Sequence, residues 1–318
     1  MARRELGQFS LADGLVSGVQ GNQRLERLSG LVAWADLDRE LDGVYASSRG
    51  RPGYPPLCLF KCLLLQQWYR LSDPELEEAL ADRLSFRRFV GLSLSDRVPD
   101  HSTISRFRTL LAERGLGEEL FSALHRQLNE RGLLVKAGTM IDATVVQADA
   151  VPLPHERAAE RSDQDAGFTL TRRGYRLGYK AHLAVDCESR LIRTAILTPA
   201  NVNDANENHV YDLIQGDEQI LYADKAYDTA SMRWRLDHHG IANGILQRRW
   251  SSRPLSKSAV AANIFLSKRR VAIESLFGIM KRSYGYARVR YRTLTRNAVQ
   301  LHLLCMALNM RRMLVLTA

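Results

Sequence analysis

Apolar residues recur at helical spacing through the first 135 residues and then switch to alternation. Residues 1–50 read as short helical pieces, including 22–41, then a loop rich in Gly, Pro and Ser at 47–56. A helical apolar pattern covers 57–69. Ser72-Asp73-Pro74-Glu75 is a helix start: a cap residue, a proline in the first turn, and acids near the positive end of the helix dipole. It predicts a helix through 75–82, and a short one follows over 85–90, ending at Gly91. Pro99-Asp100-His101-Ser102 opens a helix over 103–114 that stops at Gly115, and an amphipathic helix over 117–131 closes at Gly132. Residues 1–135 are therefore predicted to be all-helical.

After Lys136 the pattern changes. Residues 139–147 are a β-branched run, and 148–173, with Pro152, Pro154 and many charges, reads as a mobile excursion. YKAHLAVD at 179–186 and LIRTAILT at 191–198 alternate like neighbouring strands around a short turn. A helix is expected over 203–215, a strand over 219–223, a helix over 229–239 and a strand over 241–246. Long helices over 261–284 and 296–314 close the chain. The order of three strands, helix, strand, helix, strand, helix predicts an α/β domain over 136–318 with a mixed sheet flanked by helices.

Charge adds a direction to this picture. The chain carries +10 overall, and residues 248–318 hold 15 Lys and Arg against one acid, leaving the first 247 residues at −4. An Arg-rich composition, with 38 Arg and 7 Lys, would enrich both halves, so the asymmetry points to a polyanionic partner such as nucleic acid. The four cysteines (Cys58, Cys62, Cys187 and Cys305) form no CxxC pair and have no His cluster beside them. A zinc site and a disulfide framework are not expected, and a reducing, cytoplasmic compartment is. The opening MARRELGQFS lacks the apolar core of a signal peptide, and no membrane span is expected from the apolar runs. Neither a Walker loop nor a dinucleotide fingerprint is present, so no nucleotide cofactor is implied.

Three acids carry the candidate chemistry. Asp142 lies inside the apolar strand TMIDAT, Asp224 ends the strand ILYAD, and Glu274 is the one acid of the basic tract. Each alone reads as a strand-end turn or a salt bridge. Together they form a set that cannot all ionise at one spot without cations. Two magnesium ions about 4 Å apart are the usual solution, and they align attacking and leaving oxygens on a phosphodiester. Arg270, Glu274 and Lys281 are spaced by 4 and 7, which sets Arg270 about 40° and Lys281 about 20° to one side of Glu274 on a helix. Ile273, Leu276, Phe277 and Met280 form an adjacent apolar stripe that would seat this helix on a sheet. A surface helix with i,i+4 ion pairs would show the same spacing.

The sequence resembles bacterial insertion-sequence transposases of the Asp-Asp-Glu class, in the insertion-sequence-five family. The resemblance covers nearly the whole chain: RGRPGYPPL at 49–57, WYRLSDPELEEAL at 68–80, LSFRRFVGL at 84–92 and PDHSTISRFR at 99–108, then MIDAT at 140–144, GYKAHLAVD at 178–186, LTPANVND at 197–204, YADKAYD at 222–228 and the Arg-x3-Glu-x6-Lys helix. It implies a ribonuclease H-like catalytic domain over 136–318, preceded by a helical DNA-binding and dimerisation domain over 1–135. It also implies a catalytic, metal-binding triad of Asp142, Asp224 and Glu274, with Arg270 and Lys281 as signature residues that bind DNA. Ser267 stands where many relatives have Tyr, and Phe168 where Trp is expected. Only 49 residues separate Asp224 from Glu274, too few for a large insertion domain.

The helix at PDHSTISRFR is the candidate DNA reader, through Ser102, Thr103, Ser105, Arg106 and Arg108, with Ile104, Phe107 and Leu110 as its core face. His182 reads as a packing residue or a phosphate contact, and Trp250 as a packing residue or a platform for an unpaired base. The expected activity is DNA transposition with Mg2+, for which Mn2+ would substitute. The protein would bind the inverted-repeat ends of the element, nick them by hydrolysis and join the 3′-hydroxyl ends to target DNA. It would work as a homodimer or higher homo-oligomer on double-stranded DNA, in the bacterial cytoplasm at the nucleoid. The rivals are a non-catalytic sequence-specific DNA-binding protein derived from a transposase and a stand-alone structure-specific nuclease.

Overall fold

A computed structural model describes residues 4–8, 11–16, 18–45, 52–149, 163–171, 174–249 and 254–318, which divide into two compact units. One comprises residues 1–131 with 302–318, the other residues 132–301. Residues 302–318 thus pack with the helical unit, whereas the sequence reading assigned them to the catalytic domain.

In the helical unit the described elements are α1 (Leu11–Leu15), α2 (Gln23–Leu31), α3 (Trp34–Glu40), α4 (Pro56–Tyr69), α5 (Asp73–Asp82), α6 (Leu84–Val90), α7 (His101–Glu113) and α8 (Leu116–Glu130). α4 is apolar on nearly every side because α3, α5, α6 and α7 all pack on it. Helix starts follow the predicted caps. At α5 the Glu75 amide donates to Ser72 Oγ and the Ser72 amide donates to Glu75 Oε2, a reciprocal capping box. At α7 the Asp100 carboxylate accepts from the Thr103 amide at 2.7 Å. The last helix of the chain, α12 (Leu294–Leu316), lends its second part to this unit: Trp68 Nε1 donates to the Ala307 carbonyl at 2.8 Å, and Arg27 donates to Leu314 O. Contrary to the sequence expectation, α12 is long and apolar enough to cross a membrane by length and composition. Most of its apolar window is buried inside the fold, as in the core helix of a globular protein.

The second unit holds a six-stranded mixed sheet of β1 (Thr139–Gln147), β2 (Gly167–Thr171), β3 (Gly174–Asp186), β4 (Ile192–Pro199), β5 (Ile220–Ala223) and β6 (Ala242–Ile245). Strand β3 is the hub. It pairs antiparallel with β1 over its whole second part and with β4 and β2. Beyond β1 the sheet becomes parallel through β5 and β6. The helices of this unit are α9 (Glu207–Val210), α10 (Ala230–His238), α11 (Lys257–Ser283) and the first part of α12. One face of the sheet is covered by a core that includes Ile141, Ala184, Leu213, Leu221, Ala223, Tyr227, Met232 and Leu236. The other face receives α11, which packs on β1 and β5 and buries Ile273, Phe277 and Met280. Gly178 marks a close approach of β3 to β1, since a Cβ there would lie 2.1 Å from Val146 O.

Two elements depart from the sequence reading. The expected helix over 203–215 shrinks to α9 and a 3-10 turn at Tyr211–Leu213, because Asn203 and Asn206 side chains accept from the Ala205 and Asn208 amides and divert the backbone into turns. The region read as an excursion contains β2, and β3 begins at Gly174 rather than Tyr179. Two acids hold this end of the excursion: Asp163 accepts from Tyr179 Oη at 2.7 Å, and Asp165 accepts from the Leu294 amide that opens α12. Residues 150–162 and Trp250 lie outside the described residues.

Candidate active site

Strand register brings the first two acids together. Met140 of β1 pairs in parallel with Tyr222 of β5, and two residues further along each strand stand Asp142 and Asp224. Side chains two apart share a face, and neighbouring strands lie about 4.8 Å apart, so both carboxylates rise from the face that α11 covers. Asp224 is the first residue after β5 and accepts from the Lys225 amide, which starts a 3-10 turn at Lys225–Tyr227. Glu274 is the exposed member, on the flank of α11 beside the buried stripe.

Between the three lies Arg270. Its guanidinium donates to Asp142 Oδ2 at 2.7 Å, and stands 3.7 Å from Asp224 Oδ1 and 3.9 Å from Glu274 Oε1. The three acids picked out in the sequence thus converge on one spot, and the cation found there is the side chain expected to hold phosphate. Asp142 feels two opposed influences. Burial pushes its carboxyl above the ordinary range, while the charge and hydrogen bond of Arg270 and the Ala143 amide pull it down. Arg270 is half-buried, which disfavours its charge, but Asp142 outweighs that and holds the guanidinium above its ordinary value. One cation facing three carboxylates leaves the site with a deficit of positive charge. Arg270 Nε is buried without a hydrogen-bond partner.

The donor set suits a hard divalent cation, since it offers carboxylate oxygens and no thiolate or imidazole. Among the described residues no three His, Cys, Asp or Glu are yet gathered closely enough to cage an ion. The guanidinium spans the gap between them, and an ion held by all three acids would take its place.

Lys281 is half-buried further along α11, and burial pushes its ammonium below the ordinary range. Ser267 is exposed and donates to the Ile264 carbonyl within its own helix. Phe168 is a partly exposed residue of β2. His182 is a packing residue: it is 1% exposed and its Nε2 meets Thr198 Oγ1 at 2.9 Å.

One residue escaped the sequence reading. Tyr227, three after Asp224 in YADKAYD, is 1% exposed and its hydroxyl has no partner. Burial first, then Asp142, Asp204 and Asp224, push its phenol well above the ordinary value, so it stays a neutral donor near the acids. The signal was present in a tyrosine one helical turn from a candidate ligand, but spacing alone does not distinguish it from core.

On α7 the structure separates the five candidate DNA contacts. Ser102, Ser105 and Arg106 are exposed and Thr103 is half-buried, while Ile104 and Phe107 face the core as expected and Leu110 is only partly buried. Arg106 folds back onto Ser102, with Nε donating to its carbonyl at 3.2 Å. Arg108 is a correction. It is 3% exposed, and its guanidinium bonds Gln66 Oε1 at 3.0 Å and both oxygens of Asp73 on α5. It is an internal tie of the helical unit and has no surface to offer DNA.

Comparison with known proteins now settles the family. Residues 134–310 match the family model described as Transposase DDE domain, and residues 15–110 match that described as Transposase domain (DUF772). The chain belongs to the DDE transposase family. The acids on β1, just after β5 and on α11 lie inside the matched segment, and the sheet with its antiparallel first half and parallel second half is ribonuclease H-like. Among solved structures, the piggyBac transposase synaptic complex with hairpin DNA shares 10% identity over 97% of this chain and 77% of that one, with a TM-score of 0.43. The Mos1 strand transfer complex shares 13% identity over 95% of this chain and 88% of that one, with a TM-score of 0.27. This DDE transposase is thus a DNA transposase, from a family of divalent-metal-dependent enzymes that cut and join DNA.

Proposed function

We propose that this transposase belongs to the insertion-sequence-five family. It binds the inverted-repeat ends of its element, nicks them by hydrolysis and joins the freed 3′-hydroxyls to target DNA. The observation that carries this reading is the convergence of Asp142, Asp224 and Glu274 on a single guanidinium. Those three would hold Mg2+, with Mn2+ able to substitute, and the ion would supply the positive charge that an in-line displacement at phosphorus requires. Asp142, on β1, and Asp224, just after the adjacent parallel strand β5, are kept side by side by that pairing. Glu274, on a helix flank and more exposed, completes the set from the open side. Arg270 has a second task. Once released from Asp142 it holds a phosphate oxygen beside the acids, and Lys281 holds another along the same helix. Both act by positioning. The 1–135 region, through Ser102, Thr103, Ser105 and Arg106, reads the element ends, and the enzyme works as a homodimer or higher oligomer on double-stranded DNA in the bacterial cytoplasm.

The test is nicking of duplex DNA carrying the inverted repeats that flank the gene. Asp142→Asn, Asp224→Asn and Glu274→Gln should each abolish nicking, while binding in EDTA persists. Nicking retained in any one purified variant removes that residue from the site.

A further inference from the structure

Helix α11 has two flanks beside its buried stripe. One carries Arg270, Glu274 and Lys281. At 100° per residue, Lys268, Ala272 and Ser275 centre about 150° round the helix from those three. On this opposite flank the turn between β3 and β4 meets α11 and leaves a half-open hollow of about 430 Å3. Its lining includes Arg190 and Glu188 from the turn, and Lys268, Arg269, Val271 and Ser275 from the helix.

The hollow has the character of an anion site. Three cations face one carboxylate. Arg269 and Glu188 stand 3.7 Å apart and are each about half exposed, so their pairing is weak and open to exchange with a phosphate. No described carboxylate pairs with Arg190 or Lys268. The turn that presents Arg190 is fixed from below. Asp186, fully buried, accepts from the Lys136, Glu188 and Ser189 amides and from Ser189 Oγ. The Arg190 amide in turn donates to Asp186 O at 3.0 Å. Arg190 is held in the left-handed region at φ 58°, a conformation that costs a non-glycine residue energy and sets its side chain at the tip of the turn. On the apolar side, beside Ala272, Val271 is 60% exposed and offers contact to a sugar. Burial, with Asp186 and Glu188 nearby, pushes the Cys187 thiol up to about 12, so no thiolate competes for the cations.

We propose that this hollow is a second phosphate-binding site. It takes the sugar–phosphate backbone of a DNA segment lying across α11 from the one presented to Glu274. The inference rests on the transposase reading above. The backbone can belong to DNA flanking the element end or to the target duplex, and the two sources give different results.

The test uses the full chain with Arg190→Gln and Lys268→Gln combined. Both residues are exposed, and neither belongs to the catalytic flank. Affinity for inverted-repeat duplex is measured across a salt series, and capture of a scrambled-sequence target duplex is measured with pre-cleaved ends. If end-flanking DNA occupies the hollow, the log–log salt slope for the end duplex becomes shallower by about 1.8, since each lost phosphate contact contributes about 0.9. If target DNA occupies it, that slope stays as in the wild type and the salt slope of target capture flattens by the same amount. Nicking at saturating end DNA is unchanged in both cases. The charge-preserving pair Arg190→Lys and Lys268→Arg should restore whichever slope was lost. Wild-type slopes in both arms overturn the proposal. A wild-type protein that binds end duplex but never nicks it overturns the functional reading instead, and the salt slopes would still report on the hollow.

Discussion

Two arginines, one in each unit, were read as DNA contacts, and both turn inward to carboxylates. Arg108 of α7 meets one carboxylate, Asp73, and the amide oxygen of Gln66, and is closed off from solvent. Its charge is matched and its geometry two-pronged. Arg270 of α11 meets three carboxylates, only one of them at hydrogen-bond distance. The first arrangement is balanced in charge, one guanidinium to one carboxylate. The second is short of positive charge and would gain by exchanging one guanidinium for divalent ions. An arginine turned inward is therefore no guide to function by itself. The balance of charge around it is.

The largest effect is expected at Arg108. Removing one partner of a buried pair leaves the other uncompensated, at a cost of about 3–5 kcal/mol. Asp73 keeps 22% side-chain exposure, so Arg108→Ala should fall near the lower end. Urea unfolding of the full chain should show the loss as a lower midpoint for the transition that includes the helical unit. A variant as stable as the wild type would mean that the tie is dispensable and that Arg108 is free to serve DNA.

At Arg270 the effect should be of opposite sign. Unit charges 4 Å apart interact by about 4 kcal/mol at an effective dielectric of 20. Arg270→Gln should therefore raise Mn2+ affinity in the absence of DNA by about tenfold or more, a difference of about 1.4 kcal/mol. Calorimetric titration of wild type and variant measures it. An unchanged affinity would show that the guanidinium does not contend with the ion.

His182 extends the contrast to a neutral group. The Thr198 hydroxyl donates to Pro199 O, so His182 Nε2–H donates to Thr198 and the lone pair at Nδ1 is buried without a partner. Burial, reinforced by Lys180 and His209 and opposed by Asp204, lowers its pKa to about 4. The unfolded chain binds this proton near pH 6.5 and the folded chain does not, so stability falls as pH drops from about 6.5 to about 4 and levels off below. His182→Gln should remove up to about 1.4 kcal/mol per pH unit of that slope. Equal slopes for the two proteins in urea titrations across this range would refute the assignment.

What the sequence made legible, and what it hid, follows the range of the interactions. The acids were legible because a carboxylate within an apolar strand is costly, and β1 and β5 were read from a β-branched run and a short apolar run. The stripe of Ile273, Phe277 and Met280 was legible because a helix repeats every 3.6 residues. Arg108 was not, because its partner Asp73 lies 35 residues away and no local period connects them. Strand β2, uncharged itself, was hidden because it closes a stretch whose prolines and charges read as an excursion, and its pairing with β3 shows only in the fold. The reach of Arg270 into the acids was hidden too. The spacing set it beside Glu274 on one helix flank, but gave no measure of how deep the guanidinium would go between β1 and β5.

The smallest effect belongs to the start of α7, where the candidate reading face and the tie at Arg108 share one helix. Asp100 caps that helix, accepting from Ser102 Oγ at 2.6 Å and from the Thr103 amide at 2.7 Å. These bonds, the hydroxyl's first, hold its carboxyl at about 2. A lowered pKa means stability that is present above about pH 3.8 and lost as pH falls toward 2. Asp100→Ala should cost about 1 kcal/mol at neutral pH, the usual cost of losing an N-cap. Asp100→Asn keeps an acceptor and should cost less. If the first turn of α7 only presents Ser102, Ser105 and Arg106, fraying it should weaken the preference for end DNA over scrambled duplex while the Arg108 tie keeps the rest of the helix in place. Hydrogen exchange should then show faster amides at Thr103 and Ile104 and unchanged ones from Arg108 onward. Faster exchange along the whole helix would mean that the cap, rather than the buried arginine, anchors α7.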